Sequence, residues 1–220
     1  MTWIKICGIT NLEDAKVAID AGADALGFVF YESSPRKIDP ETTGRIAEDL
    51  PTTIERFGVF VNQTEESICA VADQARLTAI QLHGDNEDPH VADLIAQRRP
   101  ELKIMVGISM LHPRPKSWAM MWRPDLVHAF LVDSGGTSNY GGTGKTFDWQ
   151  ASQREIEVIA RLGRVVVAGG LNPANVPDAI RILKPWGVDV ASGVEASPGK
   201  KDPEKVRAFV RAVREIGKDK

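Results

Sequence analysis

Eight short runs of β-branched and aliphatic residues punctuate this chain, and a helix-period segment follows each after a few loop residues; no other feature narrows the choice of fold so far. The runs are WIKIC (3–7), ALGFVF (25–30), ERFGVFV (55–61), TAIQL (78–82), KIMVGI (103–108), HAFLVD (128–133), RVVVA (164–168) and VDVAS (188–192). Strand ends recur at intervals of roughly 20–35 residues, the size of one β–α unit. In NLEDAKVAIDAGA, Leu12, Ala15, Val17, Ala18 and Ala21 supply a stripe that covers a sheet, with Asn11 as N-cap. LNPANVPDAIRILKPWG reads as a helix capped by Asn172, with Pro173 at its first position and an end near the Pro-Trp-Gly. Eight such units over residues 1–220 predict one α/β domain, a closed (β/α)8 TIM barrel. An open doubly wound sheet is the alternative.

Composition limits the partners. Hydrophobic residues are 43% and charged residues 26% of the chain, the profile of an ordinary globular protein. The net charge of −3 comes without any basic run, so neither nucleic acid nor an anionic membrane is expected, and the partner is a small molecule. Two cysteines, Cys7 and Cys69, with no Cys-x-x-Cys, fit a reducing compartment. There is no apolar leader and no stretch long enough to span a bilayer, so a cytoplasmic location is expected.

In a barrel of this kind the chemistry sits at the C-terminal strand ends. Cys7 closes the first run. Strand alternation puts Lys5 and Cys7 on the inner face and Ile4 and Ile6 against the helices, so a lysine one layer beneath the thiol is expected to favour the thiolate. The bland reading of Cys7 is a small core hydrophobe. Asp133, ending FLVD, is either a loop cap or an acid–base group raised in pKa by its apolar strand. Asp189, inside its strand, is a partner for a core cation such as Lys5. Gly169, Gly170, Ser192 and Gly193, in the turns after the last two strands, suit backbone binding of a phosphate, or are tight turns only. Arg36, held extended by Pro35, offers a planar fork to a carboxylate, or is a solvated surface arginine. His83 lines the mouth. No histidine spacing suggests a metal, and His90, His112 and His128 receive no role.

The stretch YGGTGKTFDW imitates a nucleotide-binding P-loop around Gly144, Lys145 and Thr146. The first glycine of that motif is missing, because Asn139 stands at its position.

KICGIT, GFVFYESSPRKI, GVFVN, QLHGD, YGGTGKTFDW, VVVAGGLNPANV and VASGVE occur in that order, and together they resemble the phosphoribosylanthranilate isomerase family of tryptophan biosynthesis over about residues 3 to 210. The resemblance implies an Amadori rearrangement of N-(5′-phosphoribosyl)anthranilate to the 1-deoxyribulose phosphate, with Cys7 as base and Asp133 as acid. It also implies that the substrate carboxylate lies near Arg36 and the phosphate at the last two strand ends. Gly142 and Gly144 then belong to a sixth loop that closes over a phosphorylated sugar. No metal, nucleotide or flavin cofactor is required. The assembly is a monomer or a homodimer. The rival readings are the two-aspartate isomerase of histidine biosynthesis, which Cys7 argues against, and a non-catalytic phosphate-binding barrel.

Overall fold

The computed structural model describes residues 1–84, 88–135 and 146–216. Its strands are β1 (Trp3–Cys7), β2 (Ala25–Val29), β3 (Glu55–Phe60), β4 (Ala79–Leu82), β5 (Lys103–Ser109), β6 (Val127–Asp133), β7 (Arg164–Val167) and β8 (Gly187–Val190), all parallel and paired in sequence order. β8 pairs in turn with β1, Lys5 standing opposite Asp189, so the sheet is a closed barrel and the open-sheet alternative falls. Among the described residues eight helices alternate with them: α1 (Leu12–Ala21), α2 (Pro40–Glu48), α3 (Glu65–Gln74), α4 (His90–Arg98), α5 (Pro115–Ala119), α6 (Trp149–Ile159), α7 (Val176–Leu183) and α8 (Pro203–Ile216). Among the described residues no helix is long and apolar enough to cross a membrane.

Alternation within the strands builds two concentric cores. Ile4, Ile6, Leu26, Ile80, Val132 and Val188 face outward into the layer beneath the helices. Ala25, Phe57, Ala79, Met105, Ala129, Leu131 and Val166 fill the barrel. Lys5, fully buried, joins this inner layer with its ammonium 5.7 Å from the centre of the Phe57 ring.

Two helix starts test the capping argument. Asn11 does cap α1, its side chain accepting from the Asp14 N–H at 2.8 Å. Asn172 does not cap α7. Its side chain accepts from the N–H groups of Ala174 and Asn175, and its own N–H donates to the Asn175 side chain. These bonds close a separate turn, so the helix begins only at Val176, with Asn175 as cap and Pro177 in its first turn.

Between β8 and α8 the chain adds what the strand pattern did not announce: a 3-10 turn, Ser192–Val194, and a small antiparallel hairpin, β9 (Glu195–Ser197) with β10 (Lys200–Lys201). The hairpin lies over the β1 end of the barrel, where Gly199 O accepts from the Thr10 hydroxyl and Lys201 N donates to Asp14. At the opposite rim Arg214 of α8 donates to Thr2 O, Gly22 O and Asp24. The first and last units are therefore fastened at both ends.

Candidate active site

The C-terminal strand ends surround a cleft of about 820 Å³, mouth included. Its wall carries Cys7 from β1, Arg36 from the loop after β2, Gln81 and His83 from the end of β4, Asp133 from β6, and Asp189 from β8. Ser134, Gly169, Gly170 and Ser192 complete one corner. Cys69 is buried in α3 and lines no part of it.

Cys7 reaches the cleft because its neighbour across the β1–β2 ladder is Gly27. A Cβ on Gly27 would lie 2.7 Å from Cys7 Sγ and 3.1 Å from Lys5 Cε, so the missing side chain is the space that both occupy. Lys5 Nζ is bonded to Asp189 at 2.8 Å and to Gln81 Oε1 at 3.0 Å. Lys5 does favour the thiolate, as its place beneath Cys7 implies, but the expected net lowering of the thiol pKa is corrected here. Burial pushes the Cys7 thiol up; Lys5 draws it down, Asp189 pushes it up again, Lys201 draws it down, and it stands above its ordinary value. The Lys5 charge is largely spent on Asp189. Although burial works against it, Lys5 is held above its own ordinary range by Asp189 and then by Cys7.

Arg36 is no surface arginine: it is 9% exposed. Its fork, however, already holds a protein carboxylate, Nε to Glu195 Oε1 at 2.8 Å and Nη2 to Glu195 Oε2 at 2.7 Å. Two of its five N–H donors are thus engaged, and both of Nη1 with the second of Nη2 are left for an incoming carboxylate. Gly8 makes this placement possible. Its φ is +77° and a Cβ there would sit 2.6 Å from Arg36 Cδ, so the glycine of KICG serves both the turn and the arginine stem. Glu195 is itself bonded by Lys201 Nζ at 3.0 Å. Burial pushes the Glu195 carboxyl up, but the hydrogen bond from Arg36 and the charge of Lys201 outweigh that and hold it below the usual carboxylate range. Sequence reasoning missed Glu195 and Lys201, although a glutamate ending the SGVE turn was visible.

Asp133 takes the first of its expected roles, the loop cap, and also faces the cleft. One oxygen caps the following turn by accepting from Gly135 N at 3.0 Å; the other lies 3.5 Å from His83 Nε2. Gln81 Nε2 is 3.4 Å from His83 Nδ1, so Gln81 joins the Lys5 pair on β1 to the histidine beside Asp133.

In the corner after β7, Gly169 and Gly170 have φ of +79° and +64°. A Cβ on Gly169 would stand 2.5 Å from the Ser134 hydroxyl, which explains why only glycine fits. No backbone acceptor within the described residues takes the N–H of Gly169, Gly170, Ser192 or Gly193. Such a group of open donors suits an anion. Gly193 does not line the cleft; it packs directly against the Leu171 carbonyl and lets the β7 and β8 turns touch. Gly142 and Gly144 lie outside the described residues. Among the described residues no three His, Cys, Asp or Glu side chains converge as a metal site.

A closed barrel whose C-terminal rim brings a thiol, a carboxylate, a half-engaged arginine and an anion corner into one cleft is a (β/α)8-barrel enzyme. Residues 4–212 match the family model described as N-(5′-phosphoribosyl)anthranilate (PRA) isomerase, and the chain belongs to that family. It is 45% identical to the N-(5′-phosphoribosyl)anthranilate isomerase of Trichlorobacter lovleyi over 98% of this chain and 99% of that one. It is similar to the crystal structure of the Thermotoga maritima enzyme at a TM-score of 0.87 and 42% identity, covering 98% of this chain and all of the other. A further structure of phosphoribosyl anthranilate isomerase, in complex with reduced 1-(o-carboxyphenylamino)-1-deoxyribulose 5-phosphate, aligns at a TM-score of 0.84 and 40% identity over 98% of this chain and 100% of that one.

Proposed function

We propose that this chain rearranges N-(5′-phosphoribosyl)anthranilate to 1-(2-carboxyphenylamino)-1-deoxyribulose 5-phosphate, with Asp133 as general acid and Cys7 as general base. Asp133 gives its proton to the ribose ring oxygen as the bond from that oxygen to C1′ breaks, and the anthranilate nitrogen lone pair forms the iminium. The iminium acidifies C2′–H, whose proton the Cys7 thiolate takes, leaving an enolamine. Protonation at C1′ and loss of the 2′-hydroxyl proton give the ketone. The Gly169, Gly170 and Ser192 corner takes the phosphate, Arg36 Nη1 the anthranilate carboxylate, and His83 steadies Asp133.

The observation that carries this reading is the shared cleft. Cys7 from β1 and Asp133 from β6 line the same cavity as Arg36 and the glycine corner. The two-aspartate isomerase loses ground on the same observation, because a thiol stands where its first carboxylate is needed. The substrate is a small molecule and the location cytoplasmic, in keeping with two cysteines that are free and buried. The test follows the loss of substrate fluorescence. Cys7→Ser and Asp133→Asn should each lose several orders of magnitude in kcat while still binding a product analogue, and a Cys7→Ser enzyme with near wild-type kcat would refute the base.

A further inference from the structure

The acid–base reading leaves one buried charge without a task. Lys201 is 1% exposed, yet its Nζ lies 2.6 Å from Cys7 O, 3.2 Å from Ala191 O and 3.0 Å from Glu195 Oε1. Three acceptors match the three donors of an ammonium; a neutral amine would be one donor short. Its backbone is fixed as well, Lys201 N donating to Asp14 at 2.8 Å. A buried ammonium is expensive, and an apolar side chain of similar length would fill the space without that cost, so the charge itself needs a reason.

The charges around Cys7 supply one. Lys5 faces it from its own strand and is paired with Asp189 of β8. Arg36, from the loop after β2, is paired with Glu195 of β9, and Lys201 comes from β10. Across the cleft stand His83 and Asp133, with Tyr31 at the rim. Among the side chains that pair with one another here, three cations meet two carboxylates, one cation in excess; the buried Asp14 of α1 is engaged instead by the Lys201 N–H and the Asn11 amide. Resting on the reading of Cys7 as base, we propose that Lys201 is a positioning residue for the isomerisation. It pins the Cys7 carbonyl at the end of β1 to the Ala191 carbonyl at the end of β8, and it supplies the single excess positive charge beside which the thiolate works.

Two substitutions with opposite electrostatic sign test this, both in a Cys69→Ala background. The rate at which iodoacetamide alkylates Cys7 is followed against pH by peptide mass spectrometry. Lys201→Met removes the excess cation and should move the alkylation midpoint up by about one pH unit, with roughly tenfold slower labelling near neutrality. Glu195→Gln removes an anion and should move the midpoint down. Mere packing damage would shift both variants the same way. An unchanged midpoint in Lys201→Met, or shifts of equal sign in the two, overturns the proposal. Should Lys201→Met not fold, Glu195→Gln decides alone: a midpoint unmoved or raised refutes the excess-charge account. The alkaline limb of kcat/KM should move with the alkylation midpoint. If alkylation shifts as expected and the kinetic limb does not, the charge assignment stands and the reading of Cys7 as base falls.

Discussion

Gly27→Ala displaces the proposed base without removing any polar group. The new methyl would stand 2.7 Å from Cys7 Sγ, 3.1 Å from Cys7 Cα and 3.1 Å from Lys5 Cε. Comfortable contacts of this kind are about 3.5–4.0 Å, so the sulfur must retreat by roughly 1 Å. The β1–β2 ladder holds the Cys7 backbone opposite Gly27, and the retreat therefore falls on the one side-chain torsion cysteine has. A misplacement of about 1 Å costs roughly a hundredfold in rate. Overpacking adds a stability loss of about 1–3 kcal/mol, which at this chain length lowers the melting temperature by roughly 2–12 °C. Arg36 and the glycine corner are untouched, so KM should stay within a few-fold. Progress curves of substrate fluorescence give kcat and KM, and thermal melts monitored by circular dichroism give the stability. A folded variant with kcat within twofold of wild type would show that the position of the thiol does not set the rate.

Four further outcomes are expected. Arg36→Met should raise KM by about 10- to 100-fold, the equivalent of a charged hydrogen bond of roughly 1.5–3 kcal/mol, while inhibition by inorganic phosphate stays unchanged; equal losses at both ends of the substrate would contradict the assignment. Asp189→Asn strands the fully buried Lys5 and should cost about 3–5 kcal/mol in urea unfolding. In the same variant the Cys7 alkylation midpoint should fall, because Asp189 opposes the thiolate and occupies Lys5. Because burial holds the thiol above its ordinary value, and the working form needs thiolate with protonated Asp133, the alkaline limb of kcat/KM should lie above pH ~8.5; an alkaline limb near neutrality would rule this out.

The barrel could be read from sequence because its determinants are local. Every predicted run became a strand, with ends shifted by no more than two residues, and alternation alone put Lys5 and Cys7 inside. The lining of the candidate cleft was legible wherever a residue closes or directly follows a strand, as with Cys7, Asp133 and His83. What failed involved partners distant in the chain. Lys5 stands two residues before Cys7, but the burial that outweighs it is set by the whole barrel, and the carboxylate that takes up its charge is 184 residues further on, so the sign of the thiol shift could not be seen. The fork of Arg36 is filled by a glutamate 159 residues away. The hairpin holding Glu195 and Lys201 has too few residues to show a strand period. Asn172 misled for a local reason: two asparagines three apart compete for the same turn, and their reciprocal bonds delay the helix.

Lys201 and Arg214 tie together the first and last units of the barrel, with bonds that join residues 194 and 212 positions apart. Closing so long a span brings its reward only after most of the chain is ordered, so these ties should form late. A copy lacking its final unit would carry both Cys7 and Asp133, yet neither the carboxylate that aims Arg36 nor the ammonium that fixes the Cys7 carbonyl. If Cys7 and Asp133 react as proposed, competence therefore waits on the eighth unit: a barrel in which that unit is unformed holds both groups without the contacts that position them.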